Sequence, residues 1–303
     1  MNFSKRTKAI FAAVGVYTIW GFTFLASKIA QDSVTPFVLL AWRFDVALLI
    51  LSIPLIIGKQ KLRFKGKNIK PLLLLGAMEP CIYFIGEQYG LRWTNSAFSG
   101  VMIAVIPIVS MLMAAAFLKE KPSQEQWMFS LLSIAGIIVI TLSENSGGEI
   151  RFLGVAFLVI AVLSGAGYGV ISRSCSDEFS VYERSWAMQC MGAVFFTVLA
   201  LIENANDPSV ILTAATAKGF IPSVLYLAVG ATVVGYLLFN YAVANAPMAN
   251  VVSLCNLTTV LSVIAGLFIL DEAFSVLSLI AMFAVVVGIF GVQKYSADTE
   301  QPK

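Results

Sequence analysis

The sequence predicts an all-α integral membrane protein: ten transmembrane helices arranged as two inverted-topology five-helix repeats. Three observations predict it. Hydrophobic residues make up 59% of the chain and charged residues only 12%, about half the roughly 25% typical of a soluble protein. Ten apolar runs recur along the chain, each close to the roughly 20 residues that cross a bilayer core of about 30 Å. Finally, the stretch Ala97–Glu120 aligns without a gap on Ala249–Glu272 at an offset of 152 residues. Ser110 meets Ser262, Leu118 meets Leu270 and Glu120 meets Glu272. The same offset carries Tyr89 onto Tyr241 and Gly136 onto Gly288, so one register spans three apolar segments.

The runs lie near 9–28, 37–57, 70–91, 96–118, 124–143, 152–172, 181–203, 218–242, 247–270 and 274–293. The first follows a basic start, Lys5-Arg6-Thr7-Lys8. It continues past Trp20 with no small-residue cleavage site, so it reads as an uncleaved span. The second opens after Pro36. The third carries Glu79-Pro80, where the proline removes a helical hydrogen bond and predicts a kink. Pro107 falls near the centre of the fourth, and the fifth closes the first unit. The sixth holds Ser164-Gly165-Ala166-Gly167-Tyr168-Gly169, small enough for close helix contact or for local unwinding. The seventh carries Trp186. On the eighth, Thr232, Tyr236 and Asn240 recur every fourth residue. On the ninth, Asn250, Ser253, Asn256 and Thr259 recur every third. Such groups either line a cavity or glue helices together. The tenth ends at Gln293.

Lys and Arg in the connections set the orientation. With the N-terminus inside, 15 of the 20 basic residues fall on the inner side and 4 on the outer (Lys28, Arg92, Arg151 and Lys218), with Arg43 inside a helix. Both termini are therefore expected in the cytoplasm, with the chain in the inner membrane. The loop from Lys59 to Lys70 dominates and reads as a topological anchor. Five helices is an odd number, so the second copy enters the membrane from the opposite side. Residues 1–148 and 149–303 then form an inverted pair, an architecture typical of transporters that alternate access. A second echo, at an offset of 145, sets Ser27 over Ser172 and Lys28 over Arg173. Both basic residues read as interface anchors.

Histidine is absent, which removes the commonest catalytic base and metal ligand. Cys81, Cys175, Cys190 and Cys255 have no metal or redox spacing. No catalytic residue, metal or cofactor is expected. The net charge of +3 comes mainly from loops and concerns orientation, not nucleic acid.

Four ionisable residues fall within helices: Arg43, Asp45, Glu79 and Glu87. Such groups face partners or water, because a charge in hydrocarbon is costly. A rise of about 1.5 Å per residue puts Asp45 and Glu79 each about 13 Å from the nearer edge, close to the midplane. Glu87 is expected near the outer rim. Arg43 and Asp45 are two apart and point to nearly opposite sides. Arg43 and Glu79 either line a site or form a structural ion pair, Arg43 with Glu79 or with Glu87. Tyr83, at i+4 from Glu79, shares its face. A carboxyl, a phenol and a freed carbonyl at mid-membrane would suit an ammonium group. The substrate-binding set is Trp20, Arg43, Glu79, Tyr83, Tyr168, Trp186, Asn240 and Asn256. Glu120 and Glu272 precede helices and favour their positive ends.

The order of certain motifs resembles a known family. Trp20-Gly21 with Lys28, Ala41-Trp42-Arg43-Phe44, Pro107, Leu118-Lys119-Glu120 and Leu270-Asp271-Glu272 resemble the EamA-type members of the drug/metabolite transporter superfamily across both halves. The resemblance implies a ten-helix inner-membrane carrier with a central site between the halves. Members move amino acids, related metabolites, drugs or nucleotide-sugar-like solutes. The chain departs at Thr259, where the second copy often has a proline matching Pro107. The acids of its third helix are also unusual, so no substrate carries over.

The expected function is export of a small polar or amphipathic metabolite, amino-acid-like or drug-like. An importer of a cationic nutrient and a non-transporting membrane interaction protein are the alternatives; an enzyme is not expected. The partners are a small-molecule substrate and the lipid bilayer. Any proton coupling falls to a carboxylate, with Glu79 first. Monomer and homodimer both remain open.

Overall fold

The computed structural model describes residues 4–31, 34–94, 96–143, 151–261 and 276–295, and every regular element among them is helical. The chain opens with α1 (Lys5–Gly21), capped by Ser4, whose hydroxyl accepts from the Thr7 amide. After a break at Phe22 come α2 (Thr23–Gln31) and α3 (Pro36–Ile56). The latter starts at a proline, where no N–H is needed. Next, α4 (Lys70–Gly76), a π stretch (Ala77–Ile82) and α5 (Tyr83–Arg92) form one interrupted rod. A second interrupted rod consists of α6 (Ser96–Ala104) and α7 (Ile106–Phe117), and α8 (Gln124–Ser143) follows.

The second half begins with α9 (Phe152–Ser174) and α10 (Val181–Glu203). Ser180 and Glu183 form a capping box at the start of α10. After α11 (Ser209–Thr213), a continuous rod runs from Phe220 to Asn245. It comprises α12 (Phe220–Leu225), a π stretch (Tyr226–Val234) and α13 (Gly235–Asn245). Then α14 (Met248–Val252) passes into a 3-10 turn (Ser253–Asn256), and α15 (Val276–Lys294) is the last described helix.

Helical segments thus fall on all ten predicted runs, but the count of ten crossings is not reached by length. Four helices are long and apolar enough to span: Pro36–Ile56, Phe152–Ser174, Val181–Glu203 and Phe220–Asn245. The apolar stretches Val101–Phe117, Gln124–Ile140, Met248–Leu261 and Leu279–Lys294 are shorter. Helix breaks account for part of the difference. Glu79 adopts φ −141° and ψ 122°, the extended conformation favoured before a proline. Pro107 is not mid-helix; it stands in the first turn of α7, after the break at Val105. The breaks pair up between the halves. Both third rods carry a π stretch, and both fourth rods are interrupted, near Val105 and at Ser253–Asn256. By contrast, the Gly-rich run of the sixth segment stays helical throughout α9 and is used for close contact.

The seam between α8 and α15 shows how the halves relate. A Cβ on Gly136 would meet the Ala281 carbonyl at 2.7 Å and Val285 Cγ2 at 2.8 Å. A Cβ on Gly288 would meet the Phe129 carbonyl at 2.6 Å and Ser133 Cβ at 2.7 Å. Gly136 and Gly288 are one repeat offset apart, and so are Phe129 and Ala281, and Ser133 and Val285. Reciprocal contact of this kind is what a two-fold relation dictates. The two helices also run antiparallel: Gln126 donates to the Val292 carbonyl at one end of the seam, and Gly136 meets Ala281 at the other. Elsewhere, α5 packs on α9 and α13 packs on α1, a second repeat-related pair of contacts. Residues 144–150, around the expected boundary at 148, lie outside the described residues, as do 262–275, which include Glu272.

Neither glycine has room for a side chain. Gly288→Val should therefore lower the melting temperature of the detergent-solubilised protein, at a cost of about 1–3 kcal/mol, and Gly136→Val should do the same. Unchanged melting curves would mean that the helices do not touch at this level.

Candidate functional site

The predicted stripe Thr232, Tyr236, Asn240 on the Phe220–Asn245 rod carries three contacts, one helical turn apart. Thr232 Oγ1 accepts from Arg43 Nε at 2.7 Å. The Tyr236 hydroxyl donates to Glu79 Oε1 at 2.5 Å. Asn240 Oδ1 accepts from Tyr168 OH at 2.9 Å and Ser172 Oγ at 2.6 Å, while its Nδ2 donates to Ser185 Oγ at 2.9 Å. Arg184 joins the same knot, donating to the Asn240 carbonyl at 3.0 Å, to Ser172 Oγ at 2.6 Å and to the Ser172 carbonyl. All three stripe residues are fully or almost fully buried. Steps of four residues at about 1.5 Å each stack these contacts roughly 6 Å apart. Cation, acid and cation therefore follow one another along one helix.

The ion pair that is one alternative for Arg43, with Glu79 or with Glu87, does not form. Among the described residues the ion pairs are Lys67–Glu183 and Arg173–Glu120. Arg43 lies over the Phe84 ring, 5.0 Å from its centroid, and 5.6 Å from that of Phe44. It makes no ion pair with Glu79 or Glu87. Its two terminal nitrogens have no hydrogen-bond partner among the described residues, since its one bond uses Nε. Each acid is held by a phenol. Tyr83 donates to Glu87 Oε1 at 3.1 Å and not to Glu79, because the extended residue and π stretch shift the helical phase after Glu79. Glu79 turns instead to Tyr236, on the other half. Each carboxylate thus keeps one oxygen without a bond among the described residues. A guanidinium fork and a carboxylate oxygen each retain hydrogen-bonding capacity here.

Aromatic side chains pack against this row. Trp20 stacks on Phe239 with centroids 5.7 Å apart and meets Tyr236 edge-on at 5.5 Å. Tyr168 stacks on Phe239 at 5.2 Å and meets Tyr236 at 5.8 Å. The Trp20 indole donates to the Ala231 carbonyl at 2.9 Å. That carbonyl lies in the π stretch, where the altered hydrogen-bond pattern favours such side-chain capture.

Two predicted residues lie elsewhere. Trp186 donates to Ser52 Oγ at 3.0 Å in the α3–α10 seam, near Phe64. Asn256 donates to Ser133 Oγ at 2.8 Å, on the α8 side. Its stripe proves to be glue, since Gln293 of α15 bonds Asn250 and Ser253. Asp45 points away from the row and accepts from Thr197 at 2.8 Å. Glu120 pairs with Arg173 at 2.6 Å and accepts from the Met248 amide at 2.8 Å. Arg173 is therefore not a free anchor; it also donates to the Val243 and Ala246 carbonyls. The Lys28 side chain lies outside the described residues.

Sequence reasoning missed two residues. Arg184 counts as a loop cation by position, yet it is wholly buried. The signal was present in Tyr182-Glu183-Arg184, which falls after the helix cap at Ser180. Gln189 is also wholly buried, and neither end of its amide has a partner. Among the described residues no group of three His, Cys, Asp or Glu could hold a metal. An apolar cavity of about 480 Å³ beside the break is lined by Ala77, Ile85, Phe157 and Met191, among others, but by none of the charged row.

The EamA-like transporter family model matches residues 7–142 and again 152–293. The chain is 29% identical to an uncharacterized transporter, YcxC, of Bacillus subtilis (strain 168), with 95% of this chain and 93% of that one covered. It is 26% identical to a protein of Streptantibioticus cattleyicolor named "Probable terminal-alkyne amino-acid exporter", covering 81% and 80%. A solved crystal structure of a protein 18% identical superposes with a TM-score of 0.76, covering 95% of this chain and 99% of that one.

The Asn240 side chain serves three groups and the Asn256 side chain one, so the two truncations should differ. Asn240→Ala leaves the Ser185 hydroxyl without its partner and removes one bond each from the Tyr168 and Ser172 hydroxyls, which keep Met188 and Arg184. It should cost about 2–4 kcal/mol by the per-group penalty, against about 1 kcal/mol for Asn256→Ala. Thermal melts of the two purified variants provide the comparison.

Proposed function

The chain belongs to the EamA-like transporter family, and on that premise we propose that it exports a small zwitterionic metabolite of the amino-acid type. It is a multi-pass membrane transporter and not an enzyme. One observation carries the finer reading. The Arg43 fork has two nitrogens without a partner among the described residues, Glu79 is held one turn along the same rod, and Glu79 and Glu87 each keep one oxygen without a bond. A carboxylate on Arg43 and an ammonium between the acids would complete all three groups. The cluster of Trp20, Tyr168, Tyr236 and Phe239 would receive an apolar side chain. The printed name of the Streptantibioticus relative supports both class and direction. The excess of basic residues on one side supports an inner-membrane location with both termini cytoplasmic. The two halves, divided near residue 148, would rock about the row to alternate access.

The test is flux in proteoliposomes, comparing neutral L-amino acids with their α-amides, which are cationic. The wild type should prefer the zwitterion by roughly 10- to 100-fold, the range of one charged hydrogen-bonded contact. Arg43→Met should erase the preference. Equal or better transport of the amides would favour a cationic substrate instead.

In a chain without histidine, we assign proton coupling to Glu79, whose one hydrogen bond comes from a neutral phenol. Glu79→Gln should retain exchange of labelled for unlabelled substrate while net flux stops responding to an imposed pH step. A variant that responds as the wild type does would remove Glu79 from coupling.

A further inference from the structure

We propose that the Gln189 amide is a substrate contact that orients the polar head of the zwitterion once the central space opens; this rests on the substrate class proposed above. Gln189 is wholly buried on α10, and both its Oε1 and its Nε2 lack hydrogen-bond partners among the described residues. A buried polar group left unpaired is unfavourable, and an apolar side chain of the same shape would avoid that penalty. Packing alone therefore gives no reason for a glutamine here. Departures from local rules of this kind mark functional positions.

The position on α10 gives the amide a direction. One turn earlier, Ser185 accepts from Asn240 Nδ2 at 2.9 Å. One turn later, a Cβ on Gly192 would meet Pro80 Cγ at 2.6 Å and Phe44 Cδ1 at 2.7 Å. The face that carries Gln189 therefore runs from Asn240 to Pro80, alongside the Glu79–Tyr236 bond. Of its neighbours, Arg184 is bonded to Ser172 and Asn240 and keeps only Nε without a partner among the described residues, and Met188 Sδ accepts from Tyr168 at 3.6 Å. Gln189 alone on this face keeps an unused donor and an unused acceptor. An amide carries both on one plane. Its NH2 group fits a substrate carboxylate and its carbonyl fits an ammonium. Arg43 and Glu79 supply charge, whereas Gln189 supplies a neutral pair of contacts that fixes which way round the head lies. In the conformation described, the amide atoms are sealed from solvent, so the contact forms only when the halves part.

The experiment uses the full chain in liposomes with labelled L-phenylalanine and L-leucine, comparing wild type with Gln189→Met and Gln189→Leu. Met matches the glutamine in length and removes both polar ends. The expected result is a melting temperature equal to or above that of the wild type, together with a roughly tenfold rise in the half-saturating concentration. Maximal flux should change less than half-saturation does. If Gln189→Met is as stable as the wild type and shows the same half-saturation, the inference is overturned. It is equally overturned if both variants are less stable and lose transport only in proportion to folded protein, for then the amide is structural. A wild type that carries neither amino acid overturns the proposed substrate class and this inference together. A wild type that carries them beside an indifferent Met variant overturns this inference alone.

Discussion

A charge placed in hydrocarbon costs about 2.5–3.5 kcal/mol on insertion scales, so a membrane protein that keeps several must give each a partner from within. Here one helix does most of that. Thr232, Tyr236 and Asn240 hold Arg43, Glu79 and the Arg184 knot in turn. The partners come from α3, from the break before Pro80, and from α9 and α10. The docking of those elements on the Phe220–Asn245 rod is thus set by polar contacts as well as by packing. Satisfying the charges with neutral hydroxyls and carbonyls has a further effect. A cation locked to an acid offers little to a ligand, whereas Arg43 bonded through Nε alone keeps its fork.

The relation between the halves constrains the fold in another way. Gly136 and Gly288 let α8 and α15 approach so closely that each backbone takes the place of a side chain on the other. The contact is cemented at one end by Gln126 on the Val292 carbonyl and by Phe129 stacked on Tyr295, 5.6 Å apart. Interrupted helices occur in matching rods of both halves, which is where transporters of this architecture place their sites.

Much of this was legible in the sequence. The repeat offset located Gly136 and Gly288, and period-four spacing picked out the Thr232 stripe. Pro80 marked the break. Trp20, Tyr168 and Asn240, singled out by type and depth, lie together along the row. What sequence spacing could not convey was helical phase across that break. Counting four residues from Glu79 pairs it with Tyr83, but the extended Glu79 backbone hands Tyr83 to Glu87 and Glu79 to Tyr236. Burial set by distant partners was equally hidden. Arg184 stands four residues past a helix cap and looks like a loop cation until Ser172 and Asn240 close over it. Trp186 and Asn256 lie apart from the row, on Ser52 and Ser133, because an indole or an amide in an apolar run serves a seam as readily as a cavity.

The even spacing of the stripe has a mechanical consequence. Haphazardly placed polar groups would fix the Phe220–Asn245 rod in one register, since any slide would strand a charge against hydrocarbon. Hydrogen-bonding groups repeated every fourth residue behave differently. A slip of four residues, about 6 Å, brings Tyr236 to the level of Thr232 and Asn240 to that of Tyr236. Glu79 would then face an amide in place of a phenol, and Arg43 a phenol in place of a hydroxyl. Each would still have a polar neighbour at both ends of the stroke. The rod is toothed at the pitch of its own helix, and one-turn ratchets of this kind are an established mode of switching between two packed states.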